Sequence, residues 1–326
     1  MNKNQKNNII KSKKNKICVI GAGGWGKNHI NTLNRLGNLY GIVDKDKNIL
    51  NNYNNLNEDC NFHSSVEEAI LFGYDGYIIA TPAETHYPIA KKLLSHSKNI
   101  LVEKPVCLTS KDAEELYELA KSNHCFIMGG HLLLFHPAFL KIKSLIDSNK
   151  IGDVLYMYSN RLNFGKVRSH ENAMWSLAPH DISLLLLFCK NFPEKINYNG
   201  FELLGRKIED SSVSSFVFPG KIGAHIFVSW LHPFKEHRFV VIGKKGMLVY
   251  EDSSERKEIL FYDKTVNHNE MMTLNDEGSN AIEYDSGYPL DAQLNFFIKS
   301  IESKSNNLDN FKLSINVVKI LESLRA

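Results

Sequence analysis

Six residues near the start of the chain have the spacing that holds a pyrophosphate. Gly21-Ala22-Gly23-Gly24-Trp25-Gly26 follows the apolar run 17–20 and opens the amphipathic stretch 25–36. In a G-x-G-x-x-G turn between strand and helix, Gly21 permits the tight turn and Gly23 lets phosphate approach the backbone. Gly26 lets helix and strand pack closely. Gly24 and Trp25 complete the turn, and the helix start behind it offers free N–H groups and positive potential. Asp44 closes the next apolar run, 18 residues past Gly26, where a carboxylate accepts hydrogen bonds from both adenosine ribose hydroxyls. An acid there repels a 2′-phosphate and favours NAD over NADP, with Lys45 and Lys47 keeping NADP as the second choice.

Two later segments stand at strand ends. Ala80-Thr81-Pro82 starts a loop that leads to His86, and a loop at the carboxyl edge of a parallel sheet lies along the cofactor. Thr81 equally fits a strand-ending cap and His86 a helix surface. Glu103-Lys104-Pro105 ends the next strand. A Lys at that edge is either partly desolvated beside the nicotinamide or simply solvated at a strand exit.

These positions require a parallel sheet, and the chain has its pattern. Short apolar runs at 17–20, 39–43, 77–81, 100–103 and 126–128, with a weaker one near Phe62, alternate with helical spacing at 25–36, 65–72, 85–95 and 110–122. In the last of these Ser110 is the expected N-cap. After about residue 130 a helix over 137–148 is followed by β-like stretches at 213–218 and 224–230. Strands at 239–242 and 247–250 flank the turn from Gly243 to Gly246, which predicts an antiparallel sheet with one covered face. Two helices, near 290–303 and 312–324, close the chain. The expected fold is therefore α/β: a tail over 1–15, a Rossmann domain over 16–130, and an α+β domain with an open, mainly antiparallel sheet over 131–326. The C-terminal helix is free to pack back on the first domain.

Composition narrows the function. The formal charge of +3 comes from 39 Lys and Arg against 36 Asp and Glu, but six of the lysines fall within the first 16 residues. The remainder is slightly acidic, which argues against a nucleic-acid partner. The longest aliphatic run, 184–188, is too short to span a membrane. Five scattered cysteines read as reduced, buried thiols, and without a CxxC or Cys/His cluster no metal site is expected. Together these features point to the cytoplasm.

The glycine turn, Ala80-Thr81-Pro82 with His86, and Glu103-Lys104-Pro105 together resemble the Gfo/Idh/MocA family of oxidoreductases. The resemblance runs from Lys16 to the C-terminus. It implies that Lys104 touches substrate and cofactor at the reacting carbon and that the second domain carries a sugar site. A finer resemblance lies in Gly130-His131 through His136-Pro137, in Arg161-Leu162-Asn163-Phe164-Gly165 with Arg168 and Asn172, and in the segment from Trp175 to Ser183. It is to the branch that oxidises the C3 hydroxyl of UDP-N-acetylglucosamine or its uronic acid, producing a 3-keto sugar for transamination.

On that resemblance His180 is the catalytic base, and an imidazole titrating near neutrality suits removal of an alcohol proton. Ser176 stands four residues earlier, where many relatives carry Asp, so an Asp–His relay is not expected. Asp181 points about 100° away on a helix and is expected to cap its N-terminus. Arg161, Arg168, Asn163 and Asn172 are candidate phosphate or sugar contacts, with either Arg alternatively paired to an acid. Trp175 fits stacking on a ring or a place in the core, and His131 the pocket wall. The expected partners are NAD and a nucleotide sugar, with a dimer or tetramer formed through the C-terminal sheet. Two other readings are a dehydrogenase of a free sugar or inositol, and a sensor that binds NAD without turnover.

Overall fold

The computed structural model describes residues 14–56, 59–268 and 272–324, so residues 1–13 of the expected tail lie outside it. The first sheet holds β1 (Ile17–Ile20), β2 (Leu39–Val43), β3 (Asn61–His63), β4 (Gly76–Ile79), β5 (Asn99–Glu103) and β6 (Ile127–Gly130) in the order β3-β2-β1-β4-β5-β6. Every pairing is parallel. Helices α1 (Gly26–Leu36), α2 (Lys47–Asn51), α3 (Val66–Phe72), α4 (His86–Ser95) and α5 (Ser110–Ser122) provide the crossovers. Strands β1 and β4 are buried along their whole length, as apolar runs covered on both faces must be. Each such Ile, Leu or Val contributes about 1.5–3 kcal/mol by leaving water. Thr109, not the expected Ser110, caps α5 by accepting from the backbone N–H of Asp112 at 3.1 Å.

Strand order reverses between β1 and β4, and the crevice beyond their carboxyl ends is where such sheets bind ligands. The glycine turn, Asp44, Thr81, Lys104 and His131 all follow strand ends on this edge.

Helix α6 (Pro137–Asp147) leads to the second sheet. Its strands are β7 (Val154–Phe164), β8 (Lys195–Phe201), β9 (Ser211–Phe218), β10 (Ile222–Ser229), β11 (Leu231–Gly243), β12 (Gly246–Glu251), β13 (Ile259–His268) and β14 (Met272–Ile282). They lie in the order β14-β13-β12-β11-β7-β10-β9-β8. The sheet is mostly antiparallel, but β10 runs parallel to β7. Between β7 and β8 come α7 (Ala173–Leu177) and α8 (Pro179–Cys189), and α9 (Pro289–Glu302) and α10 (Asp309–Ser323) end the chain.

One face of this sheet is covered. Met157, Ile226, Val241 and Leu248 pack with Phe139 and Ile142 of α6, Ile182 and Leu185 of α8, and Val317 and Leu321 of α10. Helix α10 also contributes Phe311 and Val318 to the core of the first domain, and it contacts α5 and β6 as well as α8. The alternate positions of the sheet, among them Tyr156, Tyr158, Phe227, Val240, Ile242, Met247, Val249 and Leu260, point to the opposite face.

Candidate active site

The glycine turn is shaped by close backbone approach. Gly21 has φ +93°, a value that side chains rarely tolerate. A Cβ on Gly26 would meet the Gly21 carbonyl oxygen at 1.8 Å, whereas Gly23 and Gly24 face open space. The carboxylate of Asp44 takes the N–H of Ala22 at 2.8 Å and that of Asp46 at 3.0 Å, which locks the turn to the end of β2. Open glycines, a free helix start and a fixed acid at the second strand form a cradle that fits a dinucleotide.

Across the turn, buried Glu103 gathers three donors. Its Oε1 accepts from Trp25 Nε1 at 2.8 Å and pairs with His29 Nε2 at 2.7 Å, while Oε2 accepts from the Lys104 N–H at 3.2 Å. Burial pushes the carboxyl's pKa up, but the His29 and Trp25 contacts outweigh it and leave the group below the ordinary range. Glu103 thus ties the glycine-turn helix to the strand end carrying Lys104. His29 was not singled out from the sequence, because a lone His on an amphipathic stretch gives no signal.

His86 does not face the crevice. It is buried, with Nδ1 2.8 Å from the Pro105 carbonyl oxygen and Nε2 2.8 Å from that of Thr81, so it fastens the two edge loops together rather than meeting a ligand. The Thr81 hydroxyl accepts from Thr85 at 2.7 Å, and Pro82 starts a short 3-10 turn.

Lys104 reaches across the crevice. Its Nζ donates to the Ser176 carbonyl oxygen at 3.0 Å, four residues before His180. Burial lowers the ammonium's pKa, with the Glu103 charge opposing the shift. His180 is held well below its ordinary value, first by burial and then by the charges of Lys104 and Arg161. His131, at the end of β6, is 1% exposed and pushed down to about 4 by burial, and it senses both Glu103 and Lys104. The ammonium and the two imidazoles therefore share one crevice, contributed by both domains.

Next to His180 in the chain, Asp181 forms an ion pair that overturns one expectation and decides between the alternatives for another. Asp181 does not cap α8; its buried carboxylate accepts from Arg161 Nε at 2.7 Å, Arg161 Nη2 at 2.9 Å and Ser159 Oγ at 2.7 Å. Arg161, a candidate phosphate or sugar contact with pairing to an acid as the alternative, takes the alternative: two of its three nitrogens are committed to that carboxylate. His237 of β11 lies directly opposite Arg161 of β7 in register. A cavity of about 20 Å³, enough for one water, is lined by Ser159, Arg161, Asp181, His237 and Asp252.

The remaining candidates divide. Asn163 presents a buried, unpartnered Oδ1. Asn172 instead caps α7, accepting from the Trp175 N–H at 2.9 Å and donating to Glu209, so both ends of its amide are committed within the protein. Trp175 is only 4% exposed and belongs to the second core, which removes it from ring stacking in this state. Arg168 is exposed and 3.5 Å from Glu171.

Comparison with known proteins agrees with the architecture. Residues 15–131 match the oxidoreductase family with NAD-binding Rossmann fold, GFO/IDH/MocA, and residues 139–249 match the GFO/IDH/MocA C-terminal domain. The chain belongs to this oxidoreductase family, and NAD is its cofactor. It is similar to an uncharacterized oxidoreductase, YhhX, of Escherichia coli, at 28% identity over 53% of this chain and 51% of that protein. A UDP-N-acetylglucosamine 3-dehydrogenase of Acidithiobacillus ferrooxidans is 29% identical over 52% of each chain. The chain thus spans about half the length of the curated relatives it matches. The solved structure of the dehydrogenase GnnA from Acidithiobacillus ferrooxidans superposes with a TM-score of 0.82 at 19% identity, covering 95% of this chain and 96% of that one. Among the described residues, no helix is long and apolar enough to cross a membrane.

Proposed function

We propose that the chain oxidises the C3 hydroxyl of a UDP-N-acetylhexosamine to the ketone with reduction of NAD. The observation that carries this reading is the Lys104–Ser176 bond, which puts the ammonium of the Rossmann edge beside the segment bearing His180. In this reading His180, kept neutral at physiological pH, takes the hydroxyl proton. Lys104 donates to the same oxygen and stabilises the charge that grows there. Bound NAD supplies the hydride acceptor, and Gly21, Gly23, Gly26 and Asp44 would hold it. Glu103 keeps Lys104 in register with the glycine turn, and burial of the site excludes water from the reacting oxygen.

The similarity to a UDP-N-acetylglucosamine 3-dehydrogenase supports the substrate class. Five buried cysteines without a disulfide support a reducing compartment, the cytoplasm. The apolar open face of the second sheet supports association of two copies through it. Purified protein incubated with NAD and UDP-N-acetylglucosamine should form NADH and a 3-keto product. Turnover of free sugars or inositol with none of the nucleotide sugar contradicts the reading.

A further inference from the structure

The carboxylate of Glu103 is held from α1, from β6 and from its own strand end. On the α1 side, Trp25 Nε1 donates to Oε1 at 2.8 Å and His29 Nε2 stands 2.7 Å from the same oxygen. The Lys104 N–H donates to Oε2 at 3.2 Å. Gly130 of β6 lies in register with Glu103, and a Cβ there would meet the Glu103 Cδ and Oε1 at 2.9 Å. The missing side chain gives the carboxylate its seat. His29 is 0% exposed, and its Nδ1 has no hydrogen-bond partner among the described residues. An ionised carboxylate only accepts, so the Nε2 of His29 carries the proton between them.

Donors gathered on a buried acid favour its charged form, and that charge is felt next door. Lys104 faces Glu103 of its own strand, Arg161 of β7, Arg168 and Glu171 of the loop before α7, and the rings of His131 and His180. Burial, Arg161 and Arg168 favour the neutral amine, while Glu103 and then Glu171 favour the ammonium. Glu171 already stands 3.5 Å from Arg168, which leaves Glu103 as the main support of the positive charge.

We propose that His29 is a positioning residue for Lys104: by keeping Glu103 ionised and seated over Gly130, it keeps Lys104 an ammonium able to donate to the reacting oxygen. This role rests on the one given to Lys104 in the oxidation proposed above, and it adds a residue behind that site, on the glycine-turn helix.

Loss of negative charge beside an ammonium lets it deprotonate at lower pH. With NAD and UDP-N-acetylglucosamine, the alkaline limb of kcat/KM should therefore move down by about one pH unit in His29→Leu, while the acid limb set by His180 stays in place. His29→Gln, which keeps an N–H donor for the same oxygen, should restore most of the shift, and Glu103→Gln should give the largest one. Gly130→Ala crowds the carboxylate from the other side and should move the limb in the same direction, which covers the case in which His29→Leu does not fold. An alkaline limb that is absent or stays put in these variants, or a loss of turnover equal at every pH, overturns the proposal and leaves His29 a structural histidine. The Cε resonance of Lys104 in protein carrying isotope-labelled lysine, assigned by its absence in Lys104→Ala, reads the same ionisation without turnover. A downward shift of that titration in His29→Leu, with no oxidation of the nucleotide sugar, contradicts the substrate reading alone; an unmoved titration contradicts the role of His29 whatever the substrate.

Discussion

The Nζ of Lys104 lies 3.0 Å from the carbonyl oxygen of Ser176, a bond that joins the edge of the parallel sheet to the segment leading into α8. Burial, reinforced by the charges of Lys104 and Arg161, lowers the pKa of the His180 imidazole, and in the proposed reaction the same Lys104 ammonium receives the alkoxide. One contact thus brings the proposed electrophile, Lys104, to the segment that carries the proposed base, His180.

Lys104→Ala and His180→Ala should each lower kcat by 10²-fold or more while leaving NAD binding within about threefold of the parent. Steady-state NADH formation and an NADH fluorescence titration read the two quantities. Near-normal turnover in either variant removes that residue from the chemistry.

The acid limb of the kcat/KM profile should fall below pH 6.5. Burial, with Lys104 and Arg161, depresses the pKa of His180, so the free base persists as pH drops and is lost only below the depressed value. A limb centred at or above pH 6.5 contradicts this environment for the base.

Stability carries the same sign. His131 and His237 have folded-state values of about 4 against about 6.5 when unfolded. Between those values the unfolded chain binds more protons, so stability falls as pH drops from 6.5 toward 4. Denaturant midpoints across that window should show the decline, and His131→Phe should flatten it.

Asp181→Ala should cost roughly 3 kcal/mol, because it strands the Arg161 guanidinium, whose side chain is only 14% exposed. Urea unfolding measures the loss. The double variant Arg161→Met with Asp181→Leu should lose less than the single one, and an equal loss places the energy outside the pair.

Asp44→Ala should weaken NAD about tenfold and narrow the preference over NADP, since the carboxylate both fixes Ala22 N–H and stands at the ribose position. A titration with both nucleotides checks it; an unchanged NAD affinity contradicts the ribose contact.

The parallel sheet was readable because its strands are continuous apolar runs, and β1 and β2 fall at the expected residues. Strand β7 was not readable as a strand. It places Ser159, Arg161 and Asn163 on the site face and Asn160 on the other, which erases the alternation that marks a half-buried strand. The polar edge strand β14 was hidden in the same way. Lys104 and His180 were singled out by motifs of the family resemblance, as spacing alone left Lys104 open, but the Arg161–Asp181 pair depends on a strand and a helix packing together. His237, set between Glu236 and Arg238, has no local pattern that singles it out.

The most direct test is a crystal structure of the protein with NADH and UDP-N-acetylglucosamine. The account predicts that Lys104 Nζ and a ring nitrogen of His180 both lie within hydrogen-bond distance of the sugar's O3, with C3 facing the nicotinamide. A sugar bound with O3 away from either group contradicts it.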